Sequence, residues 1–244
     1  MKQYGLIGKS LSHSFSAKYF NAKFEKEGIT DCSFELFELD DIKQVKDLLK
    51  NNPDLKGFSV TIPYKEAILP YLDEMNEVVE DIGACNCVKV ESGKLIGYNT
   101  DIDGFMSSFL AIMEMHHDSS IVLGNGGAAK AVIHSLEQWS LDPLVVARNP
   151  KNEHELPWNE LTEEMVSQHK IIINTTPVGM FPNADECPDI PYAGIDRFHL
   201  VYDLIYNPEK TLFLEKAEKQ DAIIKNGMEM LEQQAETAWI IWNS

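Results

Sequence analysis

A lysine that follows a β-rich run is the first candidate for chemistry in this chain of 244 residues. Residues 58–62 have the apolar, β-branched composition of a strand, and Pro63, which cannot donate to a sheet ladder, ends that strand. Lys65 therefore follows a strand end, where α/β proteins bind their ligands. Its ammonium group can donate a proton or bind an anion. From this stretch alone, a solvated lysine at a helix start is the better interpretation.

Serines cluster at the start of the first predicted helix, residues 15–27. Ser12, Ser14 and Ser16 fall within five residues of one another. A serine at such a position usually caps the helix. Hydroxyl groups and the N–H groups of a helix N-terminus can also bind a carboxylate. Capping accounts for any one of these serines and leaves the others available to a ligand.

A glycine-rich turn follows the short apolar run 121–123 and precedes a predicted helix that ends near residue 139. Residues 124–129 read Gly-Asn-Gly-Gly-Ala-Ala, the G-x-G-x-x-A form of the dinucleotide fingerprint. In this fingerprint Gly124 permits the tight turn, Gly126 lets the backbone approach a pyrophosphate, and Ala129 allows close packing of helix on strand. The alternative is an ordinary tight turn.

The strand predicted at residues 144–147 ends in Arg148. An acidic residue at this strand end would bind the ribose 2′-hydroxyl of NAD, whereas an arginine suits the 2′-phosphate of NADP, with Lys151 close enough in sequence to assist. A surface arginine is the alternative. The loop 175–180 follows the next predicted strand, and we expect it to face the nicotinamide half of a bound cofactor.

Strands and helices alternate along most of the chain, which predicts mainly parallel sheets. Residues 86–98 interrupt this alternation with a predicted β-hairpin. The polar residues 116–120 predict a linker, in which His116 and His117 are expected to be exposed. A last amphipathic helix follows Gly227.

Composition narrows the classes of partner. The formal net charge of −18 argues against nonspecific binding to nucleic acid or anionic membranes. An anionic ligand would have to be bound by a few local donors against this overall charge. The four cysteines have neither zinc-site spacing nor the pattern of a disulfide framework, so we expect no metal. No apolar run has the length of a membrane helix and no signal pattern opens the chain, which predicts a reduced, cytoplasmic protein.

Together these features resemble the shikimate dehydrogenase family along nearly the whole chain. The matching blocks occur in the family's order. They are Gly-Lys-Ser-Leu-Ser-His-Ser-Phe-Ser (8–16), Ser-Val-Thr-Ile-Pro-Tyr-Lys-Glu (59–66), Gly-Ala-Cys-Asn (83–86), Gly-Tyr-Asn-Thr-Asp (97–101), Gly-Asn-Gly-Gly-Ala-Ala (124–129), Tyr-Asp-Leu-Ile-Tyr-Asn-Pro (202–208) and Gly-Met-Glu-Met-Leu-Glu-Gln-Gln-Ala (227–235).

The resemblance implies an α/β fold of two domains with a cleft between them. An N-terminal substrate-binding domain with a mainly parallel sheet would cover residues 1–101, and the C-terminal helix 226–244 would return to it. A Rossmann-like NADP-binding domain would cover residues 102–225.

The resemblance also implies the reversible, NADPH-dependent reduction of 3-dehydroshikimate to shikimate in aromatic amino-acid biosynthesis, by a monomer or homodimer. Lys65 and Asp101 would form the catalytic pair. The residues implied to bind substrate are Ser14 and Ser16 at the carboxylate, Thr61, Lys65, Asn86, Asp101 and Gln234 at the ring hydroxyls, and Tyr206 close by. The implied cofactor-binding residues are Gly124, Asn125, Gly126, Gly127, Ala128, Ala129, Arg148, Thr175, Met180 and Gly227.

Departures from the family pattern fall mainly on the cofactor side. Residues 147–149 read Ala-Arg-Asn in place of the usual Asn-Arg-Thr, and Asn152 stands where a second arginine often follows. Glu229 replaces a common glycine. Arg148 still favours NADP, but with a weaker phosphate clamp than is usual.

Two alternatives to this function are open. A quinate/shikimate dehydrogenase that uses NAD is the nearest, and the absence of an acid at position 148 counts against it. A non-catalytic NADP-sensing or small-molecule-binding module belongs to a different class. That module would be expected to lack the Lys65 and Asp101 pair, yet both residues are present.

Overall fold

Two six-stranded sheets organise the chain. The computed structural model describes residues 1–11 and 14–244. Its contacts divide the chain into two units. The first is Met1–Thr100 together with Gln234–Ser244, and the second is Asp101–Gln233.

The first unit contains a mixed sheet whose strand order is β2-β1-β3-β5-β6-β4. Strands β2 and β3 pair in parallel with β1, and β4 with β6, whereas β5 pairs antiparallel with β3 and β6. Its strands are β1 (Lys2–Gly8), β2 (Cys32–Glu38), β3 (Leu55–Val60), β4 (Glu74–Met75), β5 (Cys87–Glu91) and β6 (Lys94–Tyr98), and its helices are α1 (Phe15–Glu27), α2 (Val45–Asn51), α3 (Tyr64–Ala67) and α4 (Glu77–Ile82).

The second unit contains an all-parallel sheet whose strand order is β12-β11-β10-β7-β8-β9. Read from β9, this is the Rossmann order 3-2-1-4-5-6. Its strands are β7 (Ser120–Leu123), β8 (Pro143–Ala147), β9 (Glu155–Pro157), β10 (Ile171–Asn174), β11 (Leu200–Asp203) and β12 (Ile223–Lys225), and its helices are α5 (Asp101–Leu110), α6 (Gly127–Gln138), α7 (Glu163–Gln168), α8 (Leu212–Glu218) and the start of α9 (Met228–Asn243). These two sheets confirm the predicted fold class.

Buried apolar strands explain why the second sheet forms. The central strands β7, β10 and β11 are buried at every residue, as expected when helices cover both faces of a parallel sheet. Ile, Val and Leu make up eight of the twelve residues in these three strands. The parallel arrangement places the carboxyl ends of these strands at one edge, where the loops that follow them meet.

The end of α9 supplies aromatic residues to the core of the first unit. Trp242 stacks on Tyr4 of β1 at 5.3 Å between ring centroids, and its Nε1 donates a hydrogen bond to the Val88 carbonyl at 3.1 Å. The indole ring lies directly against Gly57 of β3, where an added Cβ would meet Trp242 Cδ1 at 2.2 Å. Gly57 is therefore required by packing, because no larger residue fits beneath the indole.

The prediction that both histidines of the linker are exposed is wrong for His117. His116 is exposed as expected, but His117 is only 2% exposed. Its Nδ1 accepts a hydrogen bond from the Glu114 backbone N–H at 2.9 Å, and burial lowers the pKa of His117. A run of polar residues predicts that its members are exposed on average. It cannot show that the turn between Glu114 and His117 buries the His117 ring.

None of the helices in the described ranges is both long and apolar enough to span a membrane.

We expect the Gly57→Ala variant to be less stable than the wild type by about 1–3 kcal/mol, the usual cost of overpacking a core. The Lys56→Ala variant is the control, because Lys56 is an exposed residue of the same strand. Its free energy of unfolding should stay within about 0.5 kcal/mol of the wild type. Urea unfolding measures both, and equal stabilities of the two variants would contradict the packing of Trp242 on Gly57.

Candidate active site

The predicted substrate-binding residues of the first unit gather at one edge of its sheet. Strands β1, β3 and β6 end at this edge, and β5, which is antiparallel to β3 and β6, begins there. Two backbone hydrogen bonds tie the edge together: Val60 N–H donates to the Asn86 carbonyl at 2.7 Å, and Cys85 N–H donates to the Lys65 carbonyl at 2.8 Å. The residues after β3 and those before β5 are thereby held side by side.

Ser14 and Ser16 lie at the start of α1, which follows β1. Ser14 occupies the N-cap position with extended backbone, yet its side chain makes no capping hydrogen bond. Its Oγ is buried and has no hydrogen-bond partner among the described residues. A buried hydroxyl without a partner is costly, so this oxygen is suited to a ligand at the helix N-terminus. Ser16 is also buried, while Ser12 and His13 of the same motif lie outside the described residues.

Asn86 is held by a buried polar network. Its Oδ1 accepts from the Thr100 backbone N–H at 2.7 Å, and its Nδ2 donates to Thr100 Oγ1 at 3.1 Å. Gln234 Oε1 accepts from Asn86 Nδ2 and from Thr100 Oγ1, both at 3.4 Å. The network brings together two of the predicted substrate residues, Asn86 and Gln234. Thr100 was not predicted as a site residue, although it lies within the block 97–101.

Lys65 lies in the single turn of α3, directly after Thr61 and Pro63. Thr61 N–H donates to the Ile7 carbonyl at 3.0 Å, and the Thr61 carbonyl accepts from Tyr64 N–H at 2.9 Å. Tyr64 is buried and holds the turn in place, because its hydroxyl donates to the Leu39 carbonyl at 2.5 Å. These bonds place Thr61 and half-buried Lys65 together at the carboxyl end of β3.

Asp101 begins α5 in the second unit and is 5% exposed. An acidic residue in the first turn of a helix is favoured by the helix dipole. Lys65 belongs to the first unit, and its pairing with Asp101 stays a prediction.

The glycine-rich turn lies at the carboxyl end of β7. Gly124 has a φ of +112°, a conformation that favours glycine, and an added Cβ would lie 2.6 Å from Thr175 Oγ1. An added Cβ on Gly126 would meet nothing within 4 Å, so open space lies beside the N-terminus of α6. Ala129 is fully buried within α6. This cradle, formed by residues 124–129, has the room and the backbone N–H groups that a pyrophosphate needs.

The neighbouring strand ends carry the other predicted cofactor residues. Arg148 follows β8, is exposed, and forms no hydrogen bond or ion pair with any described residue. Thr175 follows β10, and its Oγ1 donates to the Leu123 carbonyl at 2.7 Å. Met180 is 43% exposed in the same loop. An uncommitted guanidinium and an open glycine turn at one sheet edge fit a phosphorylated dinucleotide.

Tyr206 and Gly227 follow β11 and β12. Gly227 N–H donates to the Ile205 carbonyl at 3.1 Å, and an added Cβ on Gly227 would lie 2.0 Å from the Leu204 carbonyl oxygen. Only glycine fits this close approach of the two backbones. Tyr206, half-buried, is thereby next to a segment whose backbone is tightly held.

A buried carboxylate that the sequence did not single out ties these loops together. Asp203 accepts from Thr211 Oγ1 at 2.6 Å, from Asn174 Nδ2 at 3.0 Å and from the Ile205 backbone N–H at 3.1 Å. Asn174 in turn accepts from Thr176, through both the backbone N–H at 3.0 Å and Oγ1 at 2.7 Å. Burial raises the pKa of Asp203 to about 6, against the lowering effect of its donors. The block 202–208 contained this residue, but its role depends on contacts from other strands.

Among the described residues, no group of three or more His, Cys, Asp or Glu side chains could hold a metal ion.

Known proteins match the chain over its whole length. The family model for the shikimate dehydrogenase substrate binding domain matches residues 6–88. A relative in Caldicellulosiruptor saccharolyticus, named shikimate dehydrogenase (NADP(+)), is 41% identical over 99% of this chain and 92% of its own length. A solved structure of shikimate dehydrogenase in complex with NADP+ is 33% identical, with a TM-score of 0.87 over 99% of this chain and 90% of that one. The Thermus thermophilus enzyme, solved with NADP(H) and shikimate, is 27% identical, with a TM-score of 0.88 over 99% of this chain and 93% of its own. These matches confirm the resemblance.

The buried Asp203 predicts a pH dependence of stability. Its pKa is raised in the folded state from the ordinary 3.8 to about 6, so its contribution to stability is full below the unfolded pKa and is lost as the pH rises through 6. Between pH 4 and pH 7, we expect the free energy of unfolding of the wild type to fall by on the order of 2 kcal/mol relative to that of the Asp203→Asn variant. Chemical denaturation at each pH measures the difference. Asp185→Asn, which removes an exposed carboxylate, is the control and should follow the wild type. Parallel pH profiles for the wild type and Asp203→Asn would show that the pKa of Asp203 is not raised by folding.

Proposed function

Because the chain belongs to the shikimate dehydrogenase family, we propose that it is an NADP-dependent shikimate dehydrogenase that catalyses the reversible reduction of 3-dehydroshikimate to shikimate. The observation that carries this proposal is the 41% identity to a relative of that name over 99% of the chain. Two features support it. The Ser14 Oγ is buried without a hydrogen-bond partner in the described part of the chain, which suits the carboxylate of the substrate, and the open glycine turn at Gly126 suits the pyrophosphate of the cofactor.

The substrate is held by its carboxylate and its hydroxyl groups. Ser14 and Ser16 bind the carboxylate at the N-terminus of α1. Hydroxyl and backbone N–H groups there donate hydrogen bonds to the anion, although the chain as a whole has a net charge of −18. The ring hydroxyls are bound by the remaining donors and acceptors of the site, with Tyr206 close by. These residues are Thr61, Lys65, Asn86, Asp101 and Gln234.

Asn86 is restricted to one orientation by Thr100 and Gln234. A side chain that is fixed before the substrate arrives loses little conformational entropy on binding it. The network therefore favours one arrangement of the ring hydroxyls over others.

The cofactor, when bound, supplies the hydride. Negative charge develops on the ring oxygen as the ketone is reduced, and a proton donor within hydrogen-bond reach lowers the barrier. Lys65 is that donor. Asp101 binds a neighbouring hydroxyl and orients the ammonium group, so that both residues are catalytic.

The glycine turn and its neighbours hold the cofactor. Residues 124–129 bind the pyrophosphate at the N-terminus of α6, and Arg148 binds the 2′-phosphate. The loops at Thr175, Met180 and Gly227 bind the nicotinamide half.

The domain roles follow the same assignment. Residues 1–101, joined by helix 226–244, form the substrate-binding domain, and residues 102–225 form the NADP-binding domain. We place the enzyme in the cytoplasm, which suits a chain whose four cysteines form no disulfide. It acts as a monomer or homodimer, without nucleic acid or membrane partners.

An absorbance assay at 340 nm that crosses shikimate and quinate with NADP⁺ and NAD⁺ tests the function. Turnover should be fastest with shikimate and NADP⁺. Preferred turnover of quinate with NAD⁺ would favour a quinate/shikimate dehydrogenase. No turnover in any of the four combinations would favour an NADP-sensing or small-molecule-binding module.

We expect Lys65→Ala to lower kcat by roughly 10²-fold or more, the usual contribution of a general acid. The dissociation constant for shikimate should change much less, since the other contacts remain. Lys56→Ala removes an exposed lysine that ends no strand and is the control. Steady-state kinetics and calorimetric titration measure both quantities. A kcat near that of the wild type would remove Lys65 from the mechanism.

Arg148→Asp should shift the cofactor preference toward NAD⁺, because the change removes the phosphate partner and adds an acceptor for a ribose 2′-hydroxyl. The ratio of kcat/KM for NADP⁺ to that for NAD⁺ is the measurement. Arg197→Asp, which changes the other arginine of the chain, is the matched control. An unchanged ratio in Arg148→Asp would show that the phosphate is held elsewhere.

A further inference from the structure

A glutamate occupies the phosphate-binding edge of the second unit. Glu155 begins β9, the strand next to β8, and its side chain is half-buried. Its Oε2 accepts hydrogen bonds from Asn125 Nδ2 at 2.6 Å and from the Lys151 backbone N–H at 2.9 Å. Its Oε1 accepts from Asn152 Nδ2 at 3.3 Å. One carboxylate thus joins the glycine-rich turn to the segment that follows Arg148.

These donors are the ones that an anion at the end of β8 would use. A backbone N–H and a side-chain amide just beyond Arg148 are suited to a phosphate, but the carboxylate already accepts from both. The ammonium group of Lys151 is also engaged, since its Nζ donates to the Asn125 carbonyl at 2.8 Å. Arg148 is the cation of this segment that has no partner among the described residues.

We infer that Glu155 is a specificity-determining residue that lowers the preference for nucleotides carrying a 2′-phosphate over those with a free 2′-hydroxyl. A carboxylate repels a phosphate dianion placed beside it and competes for the same donors. It accepts a hydrogen bond from a ribose hydroxyl, which is the role of an acidic residue in NAD-binding domains. The inference rests on the proposed function, because it assumes that the nucleotide binds at this sheet edge.

Glu155 carries a second property that the test must separate from its charge. By joining Asn125 to the 151–152 segment, it also stabilises the shape of the glycine-rich turn. Glu155→Gln removes the negative charge and keeps an oxygen that accepts from Asn125 and Lys151. Glu155→Ala removes both the charge and the connection.

Binding of adenosine 2′,5′-bisphosphate and of AMP to the full chain provides the test, since these probes differ in the 2′-phosphate and contain no nicotinamide. Calorimetric titration should show that Glu155→Gln binds the bisphosphate roughly three- to tenfold more tightly than the wild type does, the range of one partly screened charge interaction. AMP affinity should change less than about twofold, because the oxygen that Glu155→Gln keeps can still accept a hydrogen bond from the free ribose hydroxyl of AMP. Glu155→Ala should weaken the binding of both probes, because the turn loses its connection.

Glu153→Gln is the matched control. Glu153 lies two residues away in the same segment and is exposed, so this change alters the net charge equally. It should leave the affinity for both probes within about twofold. An equal gain in Glu153→Gln would attribute the effect to overall charge and overturn the inference.

The remaining outcomes are also decisive. If the wild type binds the bisphosphate and a folded Glu155→Gln variant binds it equally or more weakly, the inference about Glu155 is overturned. The proposed nucleotide site is not affected by that result. Failure of the wild type to bind either probe overturns the nucleotide site as well.

Discussion

Buried polar side chains at the strand ends must keep their hydrogen-bond partners, and this requirement determines the conformation of the loops at those strand ends in both units. In the first unit, Asn86, Thr100 and Gln234 satisfy one another where β5 begins and β6 ends. In the second, Asp203 and Asn174 do so beyond β10 and β11. Replacing one of these residues by one that forms no hydrogen bond would leave its partners buried and unpaired, at a cost of about 1–3 kcal/mol for each group. The loops that carry the proposed ligand contacts are therefore fixed by the fold itself.

Two polar groups that have no partner among the described residues are suited to anionic ligands. The Ser14 hydroxyl is buried without a partner among the described residues, and the Arg148 guanidinium is exposed without one. Both lie beyond the ends of strands, and both suit anions: a carboxylate in the first unit and a phosphate in the second. In a chain with a net charge of −18, an anionic ligand needs local donors of this kind.

The sequence predicted the fold class and the glycine turn because both depend on local signals: alternating strands and helices, and glycines whose spacing is set by one turn. It could not predict the burial of His117, since that depends on how a short turn packs. It also did not identify Thr100, Asp203 or Glu155. Each of these residues has a hydrogen-bond partner that is distant in sequence, and a local pattern cannot predict such a contact.

Hydride transfer from the cofactor to the ring carbon defines the proposed reaction, and an isotope label follows that hydride. The protein would be incubated with 3-dehydroshikimate and with NADPH that carries deuterium at nicotinamide C4, using each of the two stereoisomers in turn. We predict that the shikimate produced carries deuterium at the former ketone carbon with one stereoisomer and not with the other, as proton NMR would show. Shikimate without deuterium from either stereoisomer, or no shikimate at all, would show that the protein does not transfer hydride from NADPH to the ring carbon.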